Sequence, residues 1–202
     1  MPPITAQAPS RSARSSRWLA ATVAVLAGLA SITVTTGHTP VHAGGIDPDD
    51  WLSVLNVYRQ QSGLAPVAAN EAWASGTRNH SCWMLLNGIA HDERPGTPGY
   101  TADGDEAGNS SNVAVSTVES TTAQTHLELW LTGPFHAVGL LRPNLTQTSY
   151  GQCSTASHAS TTAWRSTATL DVIRGLGSGA RPAAPIVFPG NGATVRMSTF
   201  IA

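Results

Sequence analysis

The sequence predicts an α+β domain in which helices pack on a short, mostly antiparallel sheet. Amphipathic helical patterns occupy the chain after residue 44, and alternating strand patterns follow only after residue 146. This order, with helices first and strands later, is typical of α+β domains and differs from the repeated strand–helix–strand order of parallel sheets.

Residues 1–43 have the features of a secretory signal peptide. Three arginines precede an apolar run over Trp18–Ile32, and a small-x-small pattern ends at Ala43. The run is about 15 residues, shorter than the ~20 that a spanning helix needs, so cleavage is expected instead of a membrane anchor. We therefore expect a secreted protein without a membrane span, with one domain over residues 44–176 and a linker with a short tail over residues 177–202.

The mature chain is mildly acidic. The sequence contains 11 basic residues, all arginine, and 12 acidic residues; removing the three signal arginines leaves 8 against 12, a formal charge of −4. Nucleic acids and anionic membranes both select a partner with a basic surface. Neither is expected to be a partner of this protein.

Three helices are predicted where a capping residue precedes an amphipathic repeat and a break follows it. They run from Asp47-Pro48 to Gly63, from Asn70 to Gly88, and from Val118 to Leu131. Residues 90–116, between the second and third helices, are rich in glycine, proline and acidic residues and are predicted to form a loop.

Two strands are predicted after the helices, over residues 147–153 and 163–173. The second strand alternates apolar and polar side chains, which indicates that one face is buried and the other is solvated. Residues 154–162 are interpreted as a hairpin loop between the strands, and residues 185–202 as a small terminal hairpin.

The two cysteines, Cys82 and Cys153, lie far apart in the sequence. An even pair in an exported protein most simply forms one disulfide. Two buried free thiols are the alternative. Neither cysteine has a neighbouring motif typical of a nucleophile or a zinc finger.

Five sequence segments occur in an order that resembles the CAP superfamily: LNVYRQQSGLAPVAANEAW, NHSCWMLLNG, AHDERPG, SSNVA and PFHAVGLLRPNLTQTSYG. This superfamily groups the cysteine-rich secretory, venom antigen and plant pathogenesis-related proteins, which share the SCP domain. The resemblance covers about Asp50 to Arg174. It implies a three-layer α-β-α sandwich and, for a bacterial member, a single secreted domain.

The resemblance also implies a cleft with two histidines and two glutamates, which binds a divalent metal in some members. The histidines correspond to His91 and His136. The glutamate positions correspond to Ser111 and Gly133, so both carboxylates are missing. Two imidazoles could hold Zn²⁺ or Cu²⁺ only with further ligands. Carboxylates of the acidic loop could supply them, namely Glu93, Asp103, Asp105 and Glu106.

The remaining candidate residues are interpreted as structural. His80 is expected to be a packed core histidine, and His126 and His158 are expected on the surface. Ser110 and Ser111 could be proposed as nucleophiles, but the sequence has no Gly-x-Ser-x-Gly elbow.

Three functions follow from these observations. The first is a secreted, non-enzymatic module whose cleft binds a small apolar, glycan or peptide ligand. The second is a metal-assisted hydrolase, such as a protease, that uses His91 and His136 with a loop carboxylate. The third is a cell-envelope protein that contacts the cell wall and takes no small ligand. The missing carboxylates favour the first.

Overall fold

The structure is a computed structural model that describes residues 45–179, 182–190 and 192. The predicted signal peptide lies outside these residues, and so does most of the predicted terminal hairpin. All described residues belong to one compact unit. No helix among them combines the length and the apolar character needed to cross a bilayer.

The described residues form an α+β fold, as predicted, with five α-helices and five strands. In chain order these are α1 (Trp51–Gln61), β1 (Ala68–Ala69), α2 (Ala74–Asn87), α3 (Ala102–Asn109), β2 (Ser111–Ser116), α4 (Ala123–Thr132), α5 (Pro134–Leu140), β3 (Gln147–Thr148), β4 (Tyr150–Ser154) and β5 (Ser166–Asp171). A single 3₁₀ turn, Glu71–Trp73, leads into α2.

The central sheet has the order β2-β5-β4, and both pairings are antiparallel. Strands β1 and β3 form a separate parallel pair. Helices α2 and α3 pack on one side of the central sheet, whereas α4 contacts it from the other side together with α1 and α5. The result is the three-layer arrangement that the family resemblance implies.

The apolar core lies between the sheet and the layer formed by α1, α4 and α5. Leu55, Leu127 and Leu170 are fully buried there, and Trp130 is 1% exposed. The Trp130 indole donates a hydrogen bond from Nε1 to Val113 O at 3.0 Å, so the one polar atom of this large side chain has a partner. Trp130 therefore joins α4 directly to β2.

The opposite face of the sheet is polar but equally buried, which corrects the prediction of a half-solvated second strand. Thr167 and Thr169 of β5 are fully buried beneath α2. Ser81 of α2 donates from Oγ to Thr169 Oγ1 at 2.9 Å, and Thr167 Oγ1 donates to Ser81 O. Alternation in this strand therefore separates an apolar layer from a hydrogen-bonded hydroxyl layer, both inside the protein.

Helix α1 begins three residues later than predicted. Asp50, and not Asp47, is the N-cap, and its side chain accepts from Ser53 N at 3.2 Å. The preceding Asp-Pro segment instead forms a turn that contacts the start of α4, where Pro48 O accepts from Gln124 N at 2.8 Å. A tertiary contact has overridden a locally plausible helix start.

The prediction of a long loop over residues 90–116 is wrong, because this segment contains α3 and β2. Thr101 caps α3 by accepting from Gly104 N at 3.0 Å. A Cβ on Gly104 would collide with Glu93, and one on Gly108 would collide with His80. The glycines that suggested a loop are therefore required because α3 lies so close to these two side chains that no Cβ fits at either position.

Two further element boundaries differ from the prediction. Helix α4 begins at Ala123, capped by Thr122, and Gly133-Pro134, where α4 ends, also opens the short helix α5. The first predicted strand is divided into β3 and β4, which pair with different partners. His136 therefore lies on a helix.

The predicted disulfide between Cys82 and Cys153 is confirmed. It joins α2 to β4 across a Cα–Cα distance of 5.0 Å. It lies on the polar side of the sheet, next to the hydroxyl layer that already holds α2 in place.

Candidate functional site

The position of α5 is set by a buried arginine on α1. Arg59 is fully buried, and its guanidinium donates to four backbone carbonyls, including Leu140 O at 2.6 Å and Leu145 O at 3.2 Å. Leu140 is the last residue of α5, so the cation lies at the negative end of that helix. Burial lowers the pKa of Arg59 to about 10, so the side chain is still charged at neutral pH.

Helix α5 presents His136 at the surface together with two large apolar side chains. Phe135 is 92% exposed and Val138 is 61% exposed, and their spacing of three residues places them on one side of the helix. The imidazole of His136 lies against Gly133, where a Cβ would be 3.0 Å from His136 Nδ1. A longer side chain at position 133 would therefore contact this histidine.

His91 lies in the segment between α2 and α3 and is also exposed. Its Nδ1 is 2.9 Å from Gly108 O. Since a carbonyl oxygen only accepts, Nδ1 carries the proton, and Nε2 of the neutral ring is the nitrogen able to accept a proton or bind a metal.

The two histidines contact the same short segment of the chain, which runs from the end of α3 into β2. His91 contacts it at Gly108, and Asn112 donates from Nδ2 to His136 O at 3.0 Å. Ser111 lies between Gly108 and Asn112 in the chain and is 6% exposed. Its Oγ has no hydrogen-bond partner among the described residues. We refer to His91, His136, Ser111 and Phe135 as the histidine site.

The four candidate carboxylates of the acidic segment have other partners. Asp103 accepts from Ser75 and Asn79 of α2, and Asp105 accepts from Glu93 N at 2.8 Å. Glu106 lies 3.6 Å from Arg174. Glu93 is buried and faces His80. These contacts hold α3 against its neighbours, and none of them involves His91 or His136.

His80 and Glu93 form a buried pair between α2 and α3. His80 Nε2 is 3.0 Å from Ala90 O and must donate to it, while Nδ1 is 3.1 Å from Glu93 Oε1. Nδ1 and Oε1 therefore share one proton. Burial lowers the pKa of His80 and raises the pKa of Glu93 to about 6, and both shifts favour the uncharged pair. His80 is a core histidine, as expected from the sequence.

His126 is buried, contrary to the prediction that it lies on the surface. It is 1% exposed, and burial lowers its pKa to about 4. Its Nδ1 is 3.1 Å from the Tyr150 hydroxyl, which itself donates to Gln152 Oε1 at 2.7 Å. Nδ1 therefore donates, and Nε2 is a buried acceptor without a hydrogen-bond partner among the described residues.

The described residues contain one cluster of three side chains with metal-ligating atoms within 4.8 Å of one another, and it is not at the histidine site. It consists of Cys82, Cys153 and His158, whose sulfurs form the disulfide. The histidine site itself offers two imidazoles, a buried hydroxyl and an apolar side chain. Its two imidazoles can accept a proton or bind a metal, and the set contains no carboxylate.

Two residues that contact or belong to α5, Arg59 and Phe135, were not singled out from the sequence. Arg59 stands within the motif LNVYRQQSGL, whose Asn56 accepts from Val67 N at 2.8 Å and donates to Val67 O at 3.0 Å. The motif is therefore structural, and the available signal was an arginine one turn after the apolar Leu55 of the same helix. Phe135 was missed because its exposure depends on how α5 packs.

Comparison with known proteins identifies the family. The sequence profile of the CAP family, described as the cysteine-rich secretory protein family, matches residues 52–165, which is more than half of the chain. A crystal structure of an extracellular protein containing a SCP domain from Bacillus anthracis str. Ames is similar at 19% identity and a TM-score of 0.44. The match covers 61% of this chain and 39% of that one, and no curated protein matches. On the profile match, the chain belongs to the CAP family of cysteine-rich secretory proteins.

Proposed function

We propose that this protein is a secreted binding module without enzymatic activity, and that its histidine site takes a small apolar or amphipathic ligand. The observation that carries the proposal is the 92% exposure of Phe135 immediately beside His136. A side chain of this size is normally buried in a soluble domain, and here it has a polar neighbour able to orient a ligand head group.

The apolar surface is held in place from both ends of α5, which supports a role in recognition. Arg59 bonds the carbonyl of Leu140 at the C-terminal end, and Asn112 bonds the carbonyl of His136 near the N-terminal end. Phe135 and Val138 therefore extend from a positioned backbone, so little ordering of the main chain has to accompany binding.

The two positions that the family resemblance equates with glutamates support binding over catalysis. Gly133 lies directly beside His136 Nδ1 and supplies no side chain there. Ser111 supplies a buried hydroxyl in place of the second carboxylate. We interpret the histidine site as a reduced form of the family cleft, in which the metal-binding carboxylates are gone and an apolar contact surface remains.

The proposal is tested with matched valine variants. Val138 and Val118 are 61% and 57% exposed, but only Val138 lies on α5. We expect Phe135→Ser and Val138→Ser to lower the protein's affinity for a hydrophobic fluorescent probe such as anilinonaphthalene sulfonate, and for small apolar compounds that displace it. Val118→Ser should leave both affinities unchanged. Equal probe binding by all four proteins would contradict the proposal.

The metal-assisted hydrolase is the alternative, and a gain-of-function variant separates it from our proposal. We expect Zn²⁺ to change the melting temperature of the wild type no more than that of the His91→Ala and His136→Ala variants. The double variant Ser111→Glu/Gly133→Glu should gain a rise in melting temperature with Zn²⁺, and His136→Ala should remove it again. A Zn²⁺ response in wild type that His91→Ala or His136→Ala abolishes would favour the hydrolase.

A further inference from the structure

A groove lined by none of the histidine-site residues is bordered by one half of the disulfide, Cys82, and by a histidine, His158. It has a volume of about 270 Å³, and its lining includes Cys82, Trp83, Arg78 and His158. One ring nitrogen of His158 and the sulfurs of Cys82 and Cys153 all lie within 4.8 Å of one another. Neither the family assignment nor the proposed function gives this groove a role.

We propose that reduction of the Cys82–Cys153 disulfide converts this groove into a Zn²⁺ site formed by Cys82, Cys153 and His158. Two thiolates and one imidazole are ligands that Zn²⁺ prefers, and three protein ligands leave a fourth position for water. The half-buried Cys82 and the exposed His158 open that fourth position to the groove. The complex carries no net charge, so the nearby Arg78 does not oppose it.

The chemistry balances with a thiol as the reductant. Two thiol molecules transfer two electrons and two protons to the Cys82–Cys153 bond and become a disulfide themselves, leaving two cysteine thiols in the protein. Zn²⁺ then displaces both thiol protons as its bonds to sulfur form. Binding should therefore release two protons for each metal ion.

The groove should survive reduction because other bonds hold α2 against β4. Ser81 Oγ lies 2.9 Å from both Gly151 O and Thr169 Oγ1. A Cβ on Gly151 would collide with the backbone of α2 at Arg78, which shows how closely the strand and helix approach. The two cysteine Cα atoms are thus kept near each other without the covalent bond.

His158 is also held independently of the disulfide. Its backbone N donates to Ser154 O at 3.0 Å, in a turn directly after β4. Further along the same loop, Ser160 Oγ and Thr161 N donate to Leu85 O at the end of α2, at 2.9 and 3.1 Å. The Ser157 hydroxyl lies 3.0 Å from His158 Nδ1 and can orient the ring, as outer-shell partners of metal-bound histidines do.

The test uses the protein reduced with dithiothreitol and desalted without oxygen, titrated with Co²⁺ and then with Zn²⁺. We expect one Co²⁺ per chain with a thiolate-to-cobalt charge-transfer band, displacement by Zn²⁺, and release of two protons per metal. His158→Ala should weaken binding by more than the ~10–100-fold that outer-shell changes cost. The oxidised protein should show no band.

His91→Ala/His136→Ala is the matched control and should bind as the wild type does. The proposal is wrong if reduced protein gives no band, if His158→Ala binds as tightly as wild type, or if the control variant loses binding. Loss of the native near-ultraviolet circular dichroism on reduction, before metal is added, would also overturn it, because the site requires an intact α2–β4 contact.

Discussion

Replacing Arg59 with methionine should strongly destabilise the domain. Methionine keeps the apolar stem of the side chain but removes every donor. Two of the four carbonyl acceptors, Leu140 O and Leu145 O, are buried. Leaving a buried acceptor unpaired costs about 1–3 kcal/mol, so we expect a loss of about 4 kcal/mol in the free energy of unfolding.

The loss is measured by urea denaturation and by thermal melting. A change of about 4 kcal/mol corresponds to a fall in melting temperature of roughly 8–16 °C for a domain of this size. Arg78→Met is the control, because Arg78 is exposed and makes a single long bond, 3.4 Å to Gln152 O. Its effect should stay within about 0.5 kcal/mol.

A loss below about 1 kcal/mol for Arg59→Met would refute this reasoning. It would show that water reaches the four carbonyls once the guanidinium is removed. It would also weaken the argument that Arg59 positions α5, because the helix would then keep its place without the arginine. Arg59→Lys should fall between wild type and Arg59→Met, since one ammonium group cannot reach all four carbonyls.

Three further predictions concern contacts within the fold. Gly108→Ala should lower the unfolding free energy by about 2–3 kcal/mol in urea, because its methyl group would collide with His80. His126→Gln should reduce the loss of stability at acidic pH. Between pH 6.5 and 4, His126 binds a proton in the unfolded state but not in the folded state, so the free energy of unfolding of the wild type falls by up to about 3 kcal/mol as the pH falls. Asn56→Asp should cost about 1–2 kcal/mol at neutral pH, because the carboxylate still accepts from Val67 N but cannot donate to Val67 O.

Each of these three has its own check. Gly45→Ala, at an open position, should have no effect on unfolding, and equal stability of both alanine variants would contradict the packing argument. Parallel stability curves for wild type and His126→Gln from pH 7 to pH 4 would show that His126 is not the titrating group. For Asn56→Asp, part of the lost stability should return at acidic pH, where the protonated side chain can donate again.

The helices were predictable where the local chemistry of a cap decides them. Gly63 has a φ of +73° after α1, and Asn70 accepts from Ala72 N ahead of α2, both as expected from the sequence. Helix α3 could not be predicted, because Gly104 and Gly108 normally break helices and are needed here only by the close approach of Glu93 and His80. That approach is a tertiary property and leaves no periodic signal in the sequence.

The candidate site was predictable only in its residue types. The family resemblance gives His91 and His136 as candidates, and the periodic patterns of the sequence do not relate one to the other. Both histidines contact the segment that joins α3 to β2. His91 contacts it through Gly108 O, and the backbone of His136 contacts it through Asn112. The burial of His126 was missed for a related reason: its polar partner, Tyr150, comes from a distant strand.

The anchoring of α5 separates the residues that build the domain from those that face the solvent. Arg59 and Asn112 hold the backbone of this helix from the inside, while the outward positions 135 and 138 make no contribution to the core cluster. Changes at these two positions should therefore alter recognition at little cost to folding. Helix α5 is accordingly a natural place to install a randomised surface if this domain is used as a scaffold for new binding specificities.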